Sequence, residues 1–399
     1  MKKFTKLMAL ALVAVLSLMA FAACGNGGAS TLPDPTPDAD GNITLLIGGV
    51  GPLTGDYANY GLSVKYGCEI AIEEINAAGG VNGMKLALDF QDSQGDPEAA
   101  QNAYGNLIDK GMDVSLGGVL SGETASIVAA AKNDGILVLT PSGSAKAAIA
   151  DNDNAFRVCF NDPQQGTVSA DFIADKGLAT KIAVFYASDV DYSNGLYETF
   201  KAQAAKRNLE IVTEQTFTDS TKTDFSTQIN AIKSSGADLV FIPIYAAEAA
   251  TFLTQAKAAG LTDVTFFGCD GIDGILTKGI STEDAEGLMM LTPFAADSTE
   301  KDVQDFVAAY KAKHEDKAPD QFAADGYDAI YAIKAAIEKA NLTKDDVTNF
   351  HARLVAAMTQ ITVDGVTGTM TWTADGETQK AANALVYKNG VAVEYTTAE

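Results

Sequence analysis

From Ile43 onward, short apolar runs alternate with segments whose apolar residues recur every three to four positions. Runs at Ile43–Gly49, Met84–Phe90, Met112–Gly117, Ile136–Thr140 and Phe156–Phe160 predict strands. Leu62–Ala78, closed by Gly79-Gly80, and a stretch near 122–133 predict helices. Another helix opens at Asp96-Pro97, an N-cap followed by a first-position proline. Its residues Ala100, Ala103, Tyr104, Leu107 and Ile108 share one face, the spacing needed to cover a sheet. The theme then repeats. Strands at Ile182–Tyr186, Glu210–Thr213, Leu239–Pro243 and Thr265–Phe267 alternate with helices near 164–176, 194–207, 223–235 and 246–259. Two successive βαβ series predict an α/β protein of two lobes, each a parallel sheet flanked by helices. Three further helices follow near 299–313, 320–341 and 345–358. Late strands around Trp372, at Ala384–Tyr387 and at Val391–Tyr395 have the pattern of an antiparallel edge.

The first 42 residues depart from this pattern. Lys2, Lys3 and Lys6 precede an apolar stretch from Leu7 to Ala20, and Phe21-Ala22-Ala23 leads into Cys24. A basic start, an apolar run too short to span and a small-residue exit read as an export signal over residues 1–23. A cysteine at the exit predicts lipidation of Cys24, and hence a protein working outside the cytoplasm and tied to a bacterial membrane. Residues 24–42, with Pro33, Pro35 and Pro37 among Gly, Asp and Thr, read as a flexible linker. The remainder is long enough for two domains, and no later apolar run reaches 18 residues.

The formal net charge of the whole chain is −24, and loss of the three leader lysines would make it −27. Such a surface repels phosphate backbones and argues against a nucleic-acid partner. Cys68, Cys159 and Cys269 remain beside Cys24 with no C-x-x-C spacing, so neither a zinc cage nor a redox dithiol is readable, and Cys68 and Cys159 read as buried thiols. His314 and His351 are the only histidines, which weakens triad and zinc chemistry and most enzyme readings with it. Neither a cofactor nor a metal is expected.

Ligands of open parallel sheets sit beyond the carboxyl ends of the strands. The loop Gly48–Gly61 is glycine-rich, but it lacks G-x-G-x-x-G spacing and Pro52 removes an amide, against dinucleotide binding. The next loops place Ser121 and Ser144 at helix starts, where free amides favour a carboxylate. Loops of the second series carry Tyr192, Tyr245 and Asp270, the last between Cys269 and Gly271. A carboxylate-holding wall facing an acidic, aromatic wall suits a zwitterion with an apolar body, that is, an amino acid. Taken singly, Ser121 is an N-cap, Tyr192 a rim aromatic and Asp270 a turn former.

The ordered set Gly51-Pro52-Leu53-Thr54-Gly55, Tyr60-Gly61, Glu73–Gly83, Thr140-Pro141-Ser142, Asp224-Phe225-Ser226 and Ala285-Glu286-Gly287 resembles the branched-chain amino-acid binding proteins of ABC transporters. These have the type I periplasmic-binding fold. The resemblance runs from about Ile43 to the end. It implies that Ser121 and Ser144 hold the ligand carboxylate, and that the Ser142 carbonyl meets the ammonium. Tyr192 and Tyr245 would close from the second lobe, Tyr60 would cover the ligand side chain and Tyr327 would add an aromatic wall. Asp270 stands where leucine/isoleucine/valine binders carry a glutamate against the ammonium. Glu123 departs from the small polar residue usual there and, if turned inward, would select the side chain.

The resemblance also implies three crossings between lobes, near Asp162, Pro293 and Gly368. Lobe one would then be 43–162 plus 294–367, and lobe two 163–293 plus 368–399. Hinge closure over the ligand would present a monomeric closed form to a membrane permease. Other readings are a receptor of the same fold for an amide, urea or an aromatic acid, an extracellular enzyme, and a structural or adhesive lipoprotein. Lysine and arginine are missing from these loops, which disfavours dicarboxylates and phosphates.

Overall fold

The computed structural model describes residues 30–396; the leader and Cys24 lie outside them. Its first sheet is wholly parallel, in the order β2-β1-β3-β4-β5. These strands are β1 (Thr44–Gly51), β2 (Lys85–Asp92), β3 (Val114–Ser115), β4 (Val138–Thr140) and β5 (Ala155–Arg157). Between them run α1 (Ala58–Ala77), α2 (Pro97–Asp109) and α3 (Ser121–Ala131). The last five residues of β1 are all buried, as expected of a central strand covered on both faces. β3 is shorter than its apolar run predicts. Gly117 takes a φ of 62° and turns the chain out of the sheet toward the loop before α3.

The chain then passes to a second, seven-stranded sheet, in the order β14-β13-β10-β9-β8-β6-β7. β6 (Lys181–Ala187), β7 (Glu210–Phe217), β8 (Leu239–Ile242), β9 (Thr265–Gly268) and β10 (Met289–Thr292) are parallel. They alternate with α4 (Asp162–Asp175), α5 (Asp191–Lys206), α6 (Ser226–Ser235), α7 (Ala246–Ala258) and the single turn α8 (Thr282–Ala285). α9 (Lys301–Lys313), α10 (Gln321–Lys339) and α11 (Phe350–Met358) follow, and α10 packs along α1. Two glycines permit that approach. A Cβ on Gly67 would stand 1.9 Å from the Ala323 carbonyl oxygen, and one on Gly326 would stand 2.4 Å from that of Val64. β11 (Thr362–Gly365) and β12 (Gly368–Thr371) form a hairpin, and β13 (Asn383–Lys388) and β14 (Val391–Glu394) form the antiparallel edge of the second sheet.

Two boundaries differ from the sequence reading. Gly368 pairs with Gly365 inside the β11–β12 hairpin. Beyond it, the Trp372 indole donates to the Arg157 carbonyl at 2.7 Å and the Arg157 amide donates to Gly376 at 3.0 Å. The chain therefore stays on β5 until Gly376 and crosses only between there and Asn383, later than expected. The second difference is in the linker, whose distal part is bound to the first lobe. The Asp34 carboxylate accepts from the amides of Asn349 (3.0 Å) and Phe350 (2.7 Å), and the Ser30 hydroxyl donates to Asp134 (2.7 Å). Asp34 thereby satisfies orphan amides at the start of α11, more than 300 residues away, which no local pattern can reveal.

Candidate functional site

The carboxyl ends of both sheets face each other across one cleft. It is lined by Tyr60, Val119, Leu120, Ser121, Ser142, Ser144, Tyr192, Tyr245, Asp270, Gly271 and Phe322. Seven of the eight proposed ligand residues thus come together, from loops spread over 210 positions. Its walls nearly meet, leaving a cavity of about 10 Å³, room for about one water, so an occupant must part the lobes to enter.

On the first lobe, the loops after β3 and β4 form one wall. Ser121 opens α3, whose first-turn amides have no acceptor within the helix and carry the positive end of its dipole. The Ser121 hydroxyl accepts from the Ala145 amide at 3.1 Å, and the Ser142 hydroxyl donates to the Val119 carbonyl at 2.7 Å, so each serine ties one loop to the other. Arg157, fully buried at the end of β5, holds this wall from behind. Its guanidinium donates to the carbonyls of Gly143 (2.7 Å) and Ala145 (3.0 Å), and pairs with Glu377 at 3.1 Å. The wall is braced by a cation whose donors are aimed at carbonyls.

The opposite wall belongs to the second lobe. Asp270 starts the turn after β9 and is 2% exposed. The Tyr192 hydroxyl donates to Asp270 Oδ1 at 2.8 Å while accepting from the Gly271 amide at 2.8 Å, and the Asp270 amide donates to Gln165 Oε1 at 3.2 Å. Burial pushes the Asp270 carboxyl up to about 6 against the pull of the Tyr192 and Gln165 hydrogen bonds. An anion at this depth is costly unless a cation meets it.

Aromatic rings roof the cleft. Tyr192 and Tyr245 stack at 4.8 Å with 7° between planes, while Tyr60 packs against Tyr245 at 5.6 Å and Phe322 at 4.7 Å. Tyr60 also locks the lobes together. Its hydroxyl, on α1, donates to the Gly271 carbonyl at 2.5 Å and accepts from the Ala246 amide at 2.8 Å, both across the cleft. Along the rim, the Tyr57 hydroxyl donates to Glu248 at 2.8 Å, and Lys222 reaches Asp56 at 3.4 Å.

Two readings of the sequence need correction. Tyr327 is absent from the cleft: its hydroxyl donates to Glu74 at 2.7 Å, and it lines a separate surface groove with Tyr331, Asp302 and Asp305. It follows Phe322 by five positions on α10, about 140° of helical rotation, so the two cannot share a face. Phe322 is the aromatic that reaches the cleft, marked in the sequence only by its place two residues after the N-cap Asp320. Glu123 is fully buried but faces away from the cleft. It bonds to the Ser93 hydroxyl and accepts from the Leu120 amide at 3.0 Å, and burial raises its carboxyl to about 7. It caps α3 and does not line the site. Arg157 and Gln165 were also missed, because only the fold brings them behind the binding loops. Cys68 and Cys159 are buried free thiols, as read, and Cys269 is a third.

A family model described as periplasmic binding protein matches residues 44–390. The chain belongs to the periplasmic binding protein family. It is 32% identical over 303 residues to the Leu/Ile/Val-binding protein homolog 3 of Brucella melitensis, covering 75% of this chain and 80% of that protein. Among solved structures it resembles the branched-chain amino acid transporter substrate-binding protein of Streptococcus pneumoniae in complex with isoleucine. That match has a TM-score of 0.79 at 26% identity, over 88% of this chain and all of the other. The fold is also that of a solute-binding protein of an ABC transporter from R. palustris in complex with benzoate, with a TM-score of 0.78 at 23% identity, over 88% and 95% of the two chains. The chain shares the two-lobe α/β architecture of these solved structures.

Proposed function

We propose that this chain is the extracytoplasmic substrate-binding lipoprotein of an ABC importer, anchored through Cys24. On this reading it captures a neutral amino acid with an apolar side chain by hinge closure and presents the closed form to a membrane permease. The observation that carries the reading is the buried Asp270, across a small aromatic-roofed cleft from hydroxyls and helix-start amides. A ligand carboxylate fits the α3 start with Ser121 and Ser144, its ammonium fits Asp270, and an apolar body fits beneath Tyr60, Tyr245 and Phe322. Closure removes both ligand charges from water, so each requires a partner already in place. An aromatic acid would engage the first wall equally well but would leave Asp270 buried and unpaired, a penalty of about 1–3 kcal/mol or more.

A thermal-shift panel of the common amino acids, with benzoate and acetamide beside them, tests this. Binding to the native state alone raises the melting temperature with ligand concentration. Leucine, isoleucine or valine should give the largest shift. A shift with benzoate and none with any amino acid would overturn the assignment.

A further inference from the structure

Outside the cleft lining, the rim between the lobes carries charged groups of its own. Glu248 lies buried in the first turn of α7 on the second lobe, and its Oε2 has no hydrogen-bond partner among the described residues. Its Oε1 accepts from the hydroxyl of Tyr57 at 2.8 Å, and Tyr57 comes from the first lobe, immediately before α1. Lys222, also of the second lobe, brings its ammonium to 3.7 Å from Oε1 and 3.5 Å from the same hydroxyl, and lies 5.3 Å from the centre of the Tyr57 ring. It pairs as well with Asp219 of its own lobe at 2.9 Å and with Asp56 of the first lobe at 3.4 Å. A second lysine of the second lobe, Lys278, donates to the Asp56 carbonyl.

These groups form layers from solvent toward the cleft. The Asp56 side chain is 66% exposed, that of Lys222 23% and that of Glu248 6%. Behind them the Tyr57 ring meets Tyr245, which lines the cleft, at 5.3 Å. Ion pairs as exposed as Lys222–Asp56 contribute little. Glu248 differs, because a residue of the first lobe covers it. When the lobes part, Tyr57 leaves and water reaches the carboxylate. When they close, the carboxylate is buried with one hydrogen bond, from a neutral hydroxyl. The start of α7 eases that cost, and among the described residues Lys222 is the one cation that reaches it. Removing one partner of such a pair is far more damaging than removing both.

We infer that Tyr57, Glu248 and Lys222 form a gate across the outer edge of the cleft, in which Lys222 is the counter-ion that allows Glu248 to be buried as the lobes close, and that this gate sets how long the ligand is retained. The inference rests on the hinge closure proposed above and is independent of which small metabolite is enclosed. It separates recognition from retention: the inner walls choose the ligand, and the outer layer holds the lobes shut over it. Lys222 is absent from the cleft lining and acts through Glu248, as a positioning residue.

The test compares the wild-type protein with Lys222→Met, Glu248→Gln and the double variant. Release of radiolabelled L-leucine during a chase with unlabelled leucine gives the dissociation rate. Lys222→Met should release leucine about tenfold faster or more, since it leaves Glu248 buried without its cation. The double variant, which buries no charge there, should return to within about threefold of wild type. A merely structural role for Lys222 would not produce that rescue. A Lys222→Met protein with the wild-type release rate would overturn the inference, as would a double variant as fast as the single one. Glu248→Gln keeps an acceptor for Tyr57 and should speed release less than Lys222→Met does; the reverse order would also overturn it. Should leucine fail to bind the wild-type protein, the amino-acid reading falls, and small-angle scattering of ligand-free protein then judges the gate. A Lys222→Met protein more extended than wild type upholds it, and equal dimensions overturn it.

Discussion

Replacing Tyr60 with Phe tests whether closure and binding are one event. The substitution keeps the ring that packs on Tyr245 and Phe322 and removes only the hydroxyl. In the closed arrangement that oxygen serves the Gly271 carbonyl and the Ala246 amide, both from the opposite lobe. When the lobes part, water reaches both groups, so their loss penalises the closed form alone. An unsatisfied buried polar group costs about 1–3 kcal/mol, so two give a bias against closure of at least about 2 kcal/mol. Because the ligand is held only between closed lobes, its affinity should fall by the same amount, roughly thirtyfold. Calorimetry supplies the affinity and small-angle scattering the compaction on adding ligand. The melting temperature of the ligand-free protein should change little, since neither lobe's core loses a contact. Affinity within threefold of wild type, with undiminished compaction, would refute the latch and leave Tyr60 as packing only.

Other consequences can be checked as readily. Burial raises the carboxyls of Asp113 and Asp270 to about 6 and those of Glu123 and Asp273 to about 7. In that range the folded chain binds more protons than the unfolded one, so the stability these groups contribute is present below pH 4 and lost as pH rises through 6–7. The buried His351, held below its usual pKa, works in the opposite direction but is outnumbered. Ligand-free protein should therefore melt at a higher temperature at pH 5 than at pH 7.5, and a melting temperature that rises over this interval would contradict the assignment. Ligand affinity should run the other way, weakening below about pH 6 as Asp270 becomes protonated. Glu123→Gln should alter stability through the α3 cap but leave the ranking of ligands in the thermal-shift panel unchanged; a new preferred ligand would return Glu123 to the site. Asp34→Ala should cost about 1 kcal/mol, the loss of a helix cap. It should speed amide exchange at Asn349 and Phe350, and unaltered exchange there would show the cap to be idle.

Much of the architecture was legible because βαβ patterning is a local signal. Asp96-Pro97 announces α2, and the apolar runs mark β1, β6 and β8, since each strand or helix must present its own apolar surface. Register and proximity are not local. The sequence shows hydroxyls at the starts of α3 and near β4, and a carboxylate after β9, but nothing in it states that their loops converge. That followed from strand ends meeting in one cleft, as parallel sheets require. Tyr327 illustrates the limit: its type and neighbourhood suit a binding wall, yet helical phase alone turns it toward Glu74 and leaves the position to Phe322.

The amino-acid order by itself determined the two βαβ series, the acidic character of the chain and the kinds of side chain at the strand ends. Tertiary structure alone decided the rest. It brought Arg157 behind the Ser121–Ser144 wall, turned Glu123 into a cap and bound Asp34 to a helix three hundred residues away. Each of these depends on groups far apart in the chain meeting where water is excluded. There, the energy of a charge depends on its neighbours in space and not on those in sequence.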